Sequence, residues 1–148
     1  MIKTTNINEA RNQADKLRRE NKSIIILSQD DEFNRKALEI KNLDTLIINE
    51  NLNQKDYSKQ RNSGLNEVLV KICAKNNISI GIQIEEIIKK PSKEKAIALS
   101  RLMQNIMLCK KSKTKLIFIK KDNKYDRELQ SLLISLGADT KQAEIAVQ

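Results

Sequence analysis

Apolar residues in this chain switch repeatedly between helical spacing and short aliphatic runs. Over residues 8–21, Ala10, Ala14 and Leu17 continue a line begun by Ile7, opposite a charged face, which predicts an amphipathic helix. Residues 23–28 are an unbroken aliphatic run with polar ends, the pattern of a parallel strand covered on both faces. Asp30, Asp31 and Glu32 then place negative charge at the positive end of a second helix, whose inner side is Phe33, Ala37 and Ile40. Residues 45–48 predict the next buried strand, and residues 2–5 a short edge strand.

The stretch 61–86 is a complete unit in miniature. Ser63 is the expected N-cap of a helix with Leu65, Val68, Leu69, Ile72 and Cys73 on its buried face. Asn76-Asn77 supplies the left-handed stop, and Ile78, Ile80, Ile82 and Ile84 alternate along a strand around Gly81. The longest predicted helix runs from Pro91-Ser92 to about Lys111, with Ala96, Leu99, Leu102, Met103, Ile106 and Cys109 inward. A strand over 116–119 follows. A helix from about Tyr125 then carries Leu129, Leu132, Leu133 and Leu136 to a stop at Gly137. Thr140 is the expected cap of a last helix through Ala143, Ala146 and Val147.

Strands near 24, 45, 79 and 115 alternating with helices predict an α/β fold of βα units with a parallel sheet and right-handed crossovers. Four firm strands are too few for an eight-stranded barrel, which leaves an open sheet or a partial barrel. No repeat, low-complexity tract or linker divides the 148 residues, so one domain over 1–148 is expected. With two Phe, two Tyr and no Trp, the core must be aliphatic.

Charge changes the picture in one place. The net charge is +9; residues 1–60 hold 11 Lys/Arg against 10 Asp/Glu, whereas residues 61–148 hold 17 against 9. A basic second part suits a polyanion such as RNA, and it equally suits a solvated lysine-rich surface. The absence of histidine removes Ser-His-Asp and Cys-His chemistry and the commonest zinc and iron ligand. Cys73 and Cys109 lie on apolar helix faces without a CxxC spacing and read as small buried hydrophobes. No apolar run approaches the roughly 18 residues of a membrane span, and the N-terminus has no signal-peptide core, so a cytoplasmic protein is expected.

Three glycines, at 64, 81 and 137, write neither G-x-G-x-x-G nor a Walker pattern. Asp30, Glu50 and Glu85 fall at predicted strand C-terminal ends, where gathered carboxylates hold Mg²⁺ in two-metal phosphoesterases; helix-terminal acids arise from dipole complementarity as well. The polar, aperiodic segment 49–62 follows a strand, at the edge where parallel sheets collect ligand groups. It carries Lys55, Lys59, Arg61 and Tyr57, the last placed to stack on a base. Lys110, Lys111, Lys113, Lys115, Lys120 and Lys121 flank the last strand. Guanidinium forks at Arg61 and Arg101 can take phosphate bidentately.

The hexapeptide RNSGLN at 61–66, the following VLVKICAKNNISIGI and the run RLMQNIMLCKK at 101–111 resemble the ribonuclease P protein component 3 family of archaea. NRKALEIKNLDTLIIN at 34–49 and ELQSLLISLGADTKQAEIAV at 128–147 extend the resemblance over about residues 23–147. It implies a TIM-barrel-like fold related to the PHP hydrolases, and no catalytic or metal-binding residues in the protein itself. The protein would assist a catalytic RNA that removes the 5′ leader of precursor tRNA. Partners would be RNase P RNA, precursor tRNA and RNase P protein component 2, with Mg²⁺ serving the RNA alone. Together with the charge pattern, the expected RNA-binding set is Lys59, Arg61, Ser63, Asn66, Arg101, Lys110, Lys111, Lys120 and Lys121; Arg61, Ser63, Gly64, Asn66 and Arg101 lie within the matching motifs. Two departures stand out. Glu67 occupies a position where the family usually has histidine, and the run 84–88, IEEII, replaces a basic segment. The chain also looks shortened at its N-terminus relative to the family, which would leave sheet edges for a partner or a second copy to cover.

Overall fold

A computed structural model of the chain describes residues 1–49, 51, 55–56, 58 and 61–148. Four strands, β1 (Ile25–Leu27), β2 (Thr45–Ile48), β3 (Ser79–Ile82) and β4 (Leu116–Phe118), form a wholly parallel sheet in the order β1-β2-β3-β4. Between and around them lie α1 (Ile7–Arg19), α2 (Asp31–Ala37), α3 (Glu67–Asn76), α4 (Ile84–Ile88), α5 (Ser92–Ser112), α6 (Asp126–Ser135) and α7 (Thr140–Val147). Sequential strands are spatial neighbours, the singly wound arrangement of a barrel section, and among the described residues the sheet does not close. The expected α/β class and partial barrel are what the chain forms. The predicted edge strand at 2–5 shrinks to one parallel bridge, Ile2 against Ile26.

The register explains where the core sits. Ile26, Leu46, Ile80 and Leu116 align across the sheet, as do Ile48, Ile82 and Phe118 one row on. All seven are buried and pack in one cluster with the inner residues of the helices. The intervening row, Leu27, Ile47, Gly81 and Ile117, points the other way because side chains alternate along a strand. Of these, Leu27 and Ile117 are only half-buried, and none belongs to the helix-packed cluster. Residues 23–28 are therefore covered by helices on one face, not on both as their unbroken apolar run predicts. Gly81 lets this second face draw together: a Cβ there would stand 2.9 Å from Ile47 Cγ1 and 3.0 Å from Thr45 Cγ2.

Several helix details differ from the sequence reading. The cap of α3 is Asn66, whose Oδ1 accepts from the backbone N–H groups of Val68 and Leu69 at 3.0 Å each; Ser63 lies three residues upstream. Starting the helix at Glu67 rotates its buried face to Leu69, Val70 and Cys73 and leaves Val68 59% exposed. Asn77 ends α3 in the left-handed conformation, as expected. Ile84 belongs to the short helix α4, not to β3, and is buried there beside Ile87. In α5 the inner face is Ala98, Leu102, Asn105, Ile106 and Cys109, while Ala96 and Met103 are exposed. Asp139, not Thr140, caps α7, accepting from the N–H of Gln142. Cys73 and Cys109 are buried free thiols, each pushed up to about 12 by loss of solvation. No helix among the described residues is long and apolar enough to cross a membrane.

Candidate nucleic-acid interface

Among the described residues after β2, Asp56, Arg61 and Ser63 lie against α5, whose polar side chains strap them down. Asn49 first donates its N–H to the buried Ser28 Oγ at 3.0 Å. Further on, Asp56 gathers four donors. Its Oδ2 accepts from Arg61 Nη1 at 2.7 Å. Its Oδ1 accepts from the Asn62 N–H at 2.8 Å and from Arg101 Nε and Nη2 at 3.2 and 3.1 Å. The Arg61 hydrogen bond is the main force holding the carboxyl down to about 2, with Asn62 and Arg101 adding to it against partial burial. Two guanidiniums, one from the strap and one from a helix forty residues later, thus converge on one carboxylate.

Gln104, one turn beyond Arg101, holds the backbone at Arg61 from both sides. Its Oε1 accepts the Arg61 N–H at 3.0 Å, and its Nε2 donates to the Arg61 carbonyl at 3.0 Å and to Ser63 Oγ at 2.9 Å. Asn105 Nδ2 donates to the Ser63 carbonyl at 3.3 Å. Ser63 is buried, and its hydroxyl donates onward to the Leu65 carbonyl. Gly64 then turns with φ +75°, where a side chain is strained, and brings the chain against Ile48 and Ser28.

The remaining basic residues lie elsewhere. Lys111 Nζ reaches Glu67 Oε1 at 2.7 Å, which lowers the Glu67 carboxyl below the usual range and ties α5 to the start of α3. Lys110 faces Asp139 at 3.7 Å. At the other end of β4, Lys120 is sunk to 11% exposure between the Asp126 carboxylate and the Val147 carbonyl, whereas Lys121 is 81% exposed and 3.5 Å from Glu85.

Arg61, Ser63 and Arg101, residues far apart in sequence, are therefore brought into one constellation. Asn66 serves it only as the helix cap that follows the strap. Lys110 and Lys111 lie at one end of β4, Lys120 and Lys121 at the other. Lys59, like Tyr57 and Glu50, lies outside the described residues. Sequence reasoning passed over Asp56, Gln104 and Asn105. A polar residue at a helical core position, as Asn105 is, was the available signal, because buried amides need partners.

Among the described residues the metal-phosphoesterase reading finds no donor set, and its Glu50 lies outside them. Asp30 spends its Oδ1 capping α2 through the Phe33 N–H, and Glu85 sits on α4 facing Lys121. Among the described residues no three His, Cys, Asp or Glu side chains come together.

No family model matches the chain. Over 116 residues, however, it is 33% identical to ribonuclease P protein component 3 of Methanococcus vannielii, a match that covers 78% of this chain and 47% of that protein. This chain is a sequence relative of ribonuclease P protein component 3. It spans about half the length of that curated relative. Its fold is also that of a chain in a cryo-EM structure of archaeal ribonuclease P with mature tRNA. The two superpose with a TM-score of 0.78 at 24% identity, over 97% of this chain and 62% of the other. The component 3 resemblance of the RNSGLN and RLMQNIMLCKK motifs thus agrees with the 33% identity over 116 residues. Those two motifs supply the strap and the helix face that holds it.

Proposed function

We propose that this protein is a non-catalytic subunit of ribonuclease P. It binds RNase P RNA and a protein partner and supports removal of the 5′ leader from precursor tRNA, with the RNA performing the chemistry and holding its own Mg²⁺. The relationship to ribonuclease P protein component 3 carries this reading. The arginine constellation supports an RNA contact: Arg61 presents a guanidinium that is half-exposed, on a backbone fixed by Gln104. Phosphate contacts of this kind position an RNA without reading its sequence. In the same reading the protein partner is RNase P protein component 2, a second copy of the chain is a further candidate to cover the half-buried sheet face, and the working compartment is the cytoplasm. Lys110, Lys111 and Lys121, all well exposed, extend the RNA-facing charge; Lys59 belongs to the same proposed set.

Reconstitution tests it. An archaeal RNase P RNA, component 2 protein and precursor tRNA are combined at limiting Mg²⁺, with and without this chain. Faster leader removal in its presence is the expected result; an unchanged rate and no association with the RNA or the component 2 protein would end the proposal.

A further inference from the structure

Arg61 is held twice over, and the two holds do different things. Gln104 clamps its backbone N–H and carbonyl at 3.0 Å each, so the path of the strap at this residue is fixed without the side chain. Asp56 holds the guanidinium, through Nη1 at 2.7 Å, and touches the backbone only at the following residue, through the Asn62 N–H. Asp56 is in turn anchored by the Nε and Nη2 groups of Arg101, which is 16% exposed and rooted in α5, and by the Asn62 N–H. The carboxylate therefore joins a half-exposed arginine to a helix through a part-buried one. Among the described residues the Arg61 side chain makes no other hydrogen bond, and it is half-exposed.

We propose that Asp56 is a positioning residue for phosphate recognition: by fixing Arg61 through one nitrogen against the Arg101 anchor, it presents the rest of the Arg61 fork to an RNA phosphodiester. This rests on the reading of Arg61 as an RNA contact. A long arginine loses considerable rotamer entropy when it grips a phosphate, and a carboxylate that has already fixed it removes part of that cost. The pairing also gives a prediction opposite in sign to simple charge counting. Replacing Asp56 by neutral Asn raises the net charge, which by long-range attraction alone strengthens binding to a polyanion. Loss of positioning weakens it.

The test is a double-mutant cycle on the full chain, with an in vitro transcribed archaeal RNase P RNA as the probe and affinity measured across a salt series. Arg61→Ala is expected to weaken binding about tenfold and to shallow the log–log salt slope by roughly one. Asp56→Asn is expected to weaken binding about threefold or more, Asp56→Glu to recover most of the loss, and Asp56→Asn to add nothing in the Arg61→Ala background. That last arm subtracts any damage to the fold. If Asp56→Asn tightens or leaves unchanged the binding of a chain that still responds to Arg61→Ala, the positioning role is overturned and the Arg61 contact stands. If Arg61→Ala itself changes nothing, both fall. Equal losses from Asp56→Asn with and without Arg61 would reduce Asp56 to a strap fastener and overturn the proposal.

Discussion

Two basic segments leave the sheet, one after β2 and one after β4, and they use their charges in opposite ways. In the strap after β2, Arg101 is part-buried against Asp56 and Arg61 stays half-exposed on the same carboxylate. After β4, Lys120 turns inward onto Asp126 and the Val147 carbonyl, fastening the strand exit to α6 and α7, and the neighbouring Lys121 stands in solvent opposite Glu85. In sequence both look like phosphate-binding sites. The difference lies in what surrounds each cation. A part-buried cation already matched by a carboxylate and a carbonyl is structural, because withdrawing it would leave those acceptors unsatisfied. A cation whose anchor is elsewhere keeps its donors for a ligand.

Separating Lys120 from Lys121 gives the largest effect. Lys120→Ala should cost on the order of 2–3 kcal/mol of stability, since it leaves Asp126 and the Val147 carbonyl without their shared donor. A thermal melt should fall by roughly 5–10 °C. Lys121→Ala should leave the melt within about 0.5 kcal/mol of wild type, as exposed pairs do, and act only on the RNA salt slope. A Lys120→Ala chain that melts normally would erase the contrast. Next in size is Gln104→Ala, which frees the Arg61 backbone and Ser63 Oγ together. About 1–2 kcal/mol of destabilisation is expected, with RNA affinity falling alongside it. Chemical denaturation combined with the RNA titration separates the two losses.

Much of this was legible from spacing alone. β2, β4 and the long helix α5 sit where aliphatic runs and helical periods put them, because a parallel strand and a buried helix face are local hydrophobic signals. The Asn77 stop was equally local. What spacing could not give was phase. Val68 fits a buried stripe counted from Leu65, but the helix begins at the Asn66 cap, and that start turns Val68 to solvent. Ile84 continues the alternation of β3, yet the backbone turns into α4 at Gln83. The constellation was half legible. Arg61 and Arg101 attracted notice by type and motif, but their meeting point, Asp56, is an ordinary acid in a polar loop until tertiary structure brings α5 beside it. Lys120 shows the same limit: nothing local distinguishes a sunk lysine from its exposed neighbour.

The smallest predicted effect concerns acid. The Asp56 carboxyl lies at about 2 in the folded chain, below its ordinary value of 3.8. A depressed folded value means that the group stabilises the fold fully above the unfolded value and that this contribution is lost as pH falls from about 4 towards 2. Between pH 5 and pH 8 the strap should therefore feel no change through Asp56, and any pH dependence of RNA binding there must come from other groups. Asp56→Asn should lower the denaturation midpoint at pH 6, with the gap to wild type narrowing steadily below pH 4 as the wild-type carboxylate becomes protonated. The exit segment supplies the control, because Lys121→Ala removes no part of the Asp56 cluster and should leave the midpoint at pH 6 within about 0.5 kcal/mol of wild type. A gap that stays constant for Asp56→Asn down to pH 2 would mean that the carboxylate is not what Arg61 and Arg101 share, and the contrast between the two segments would then rest on Lys120 alone.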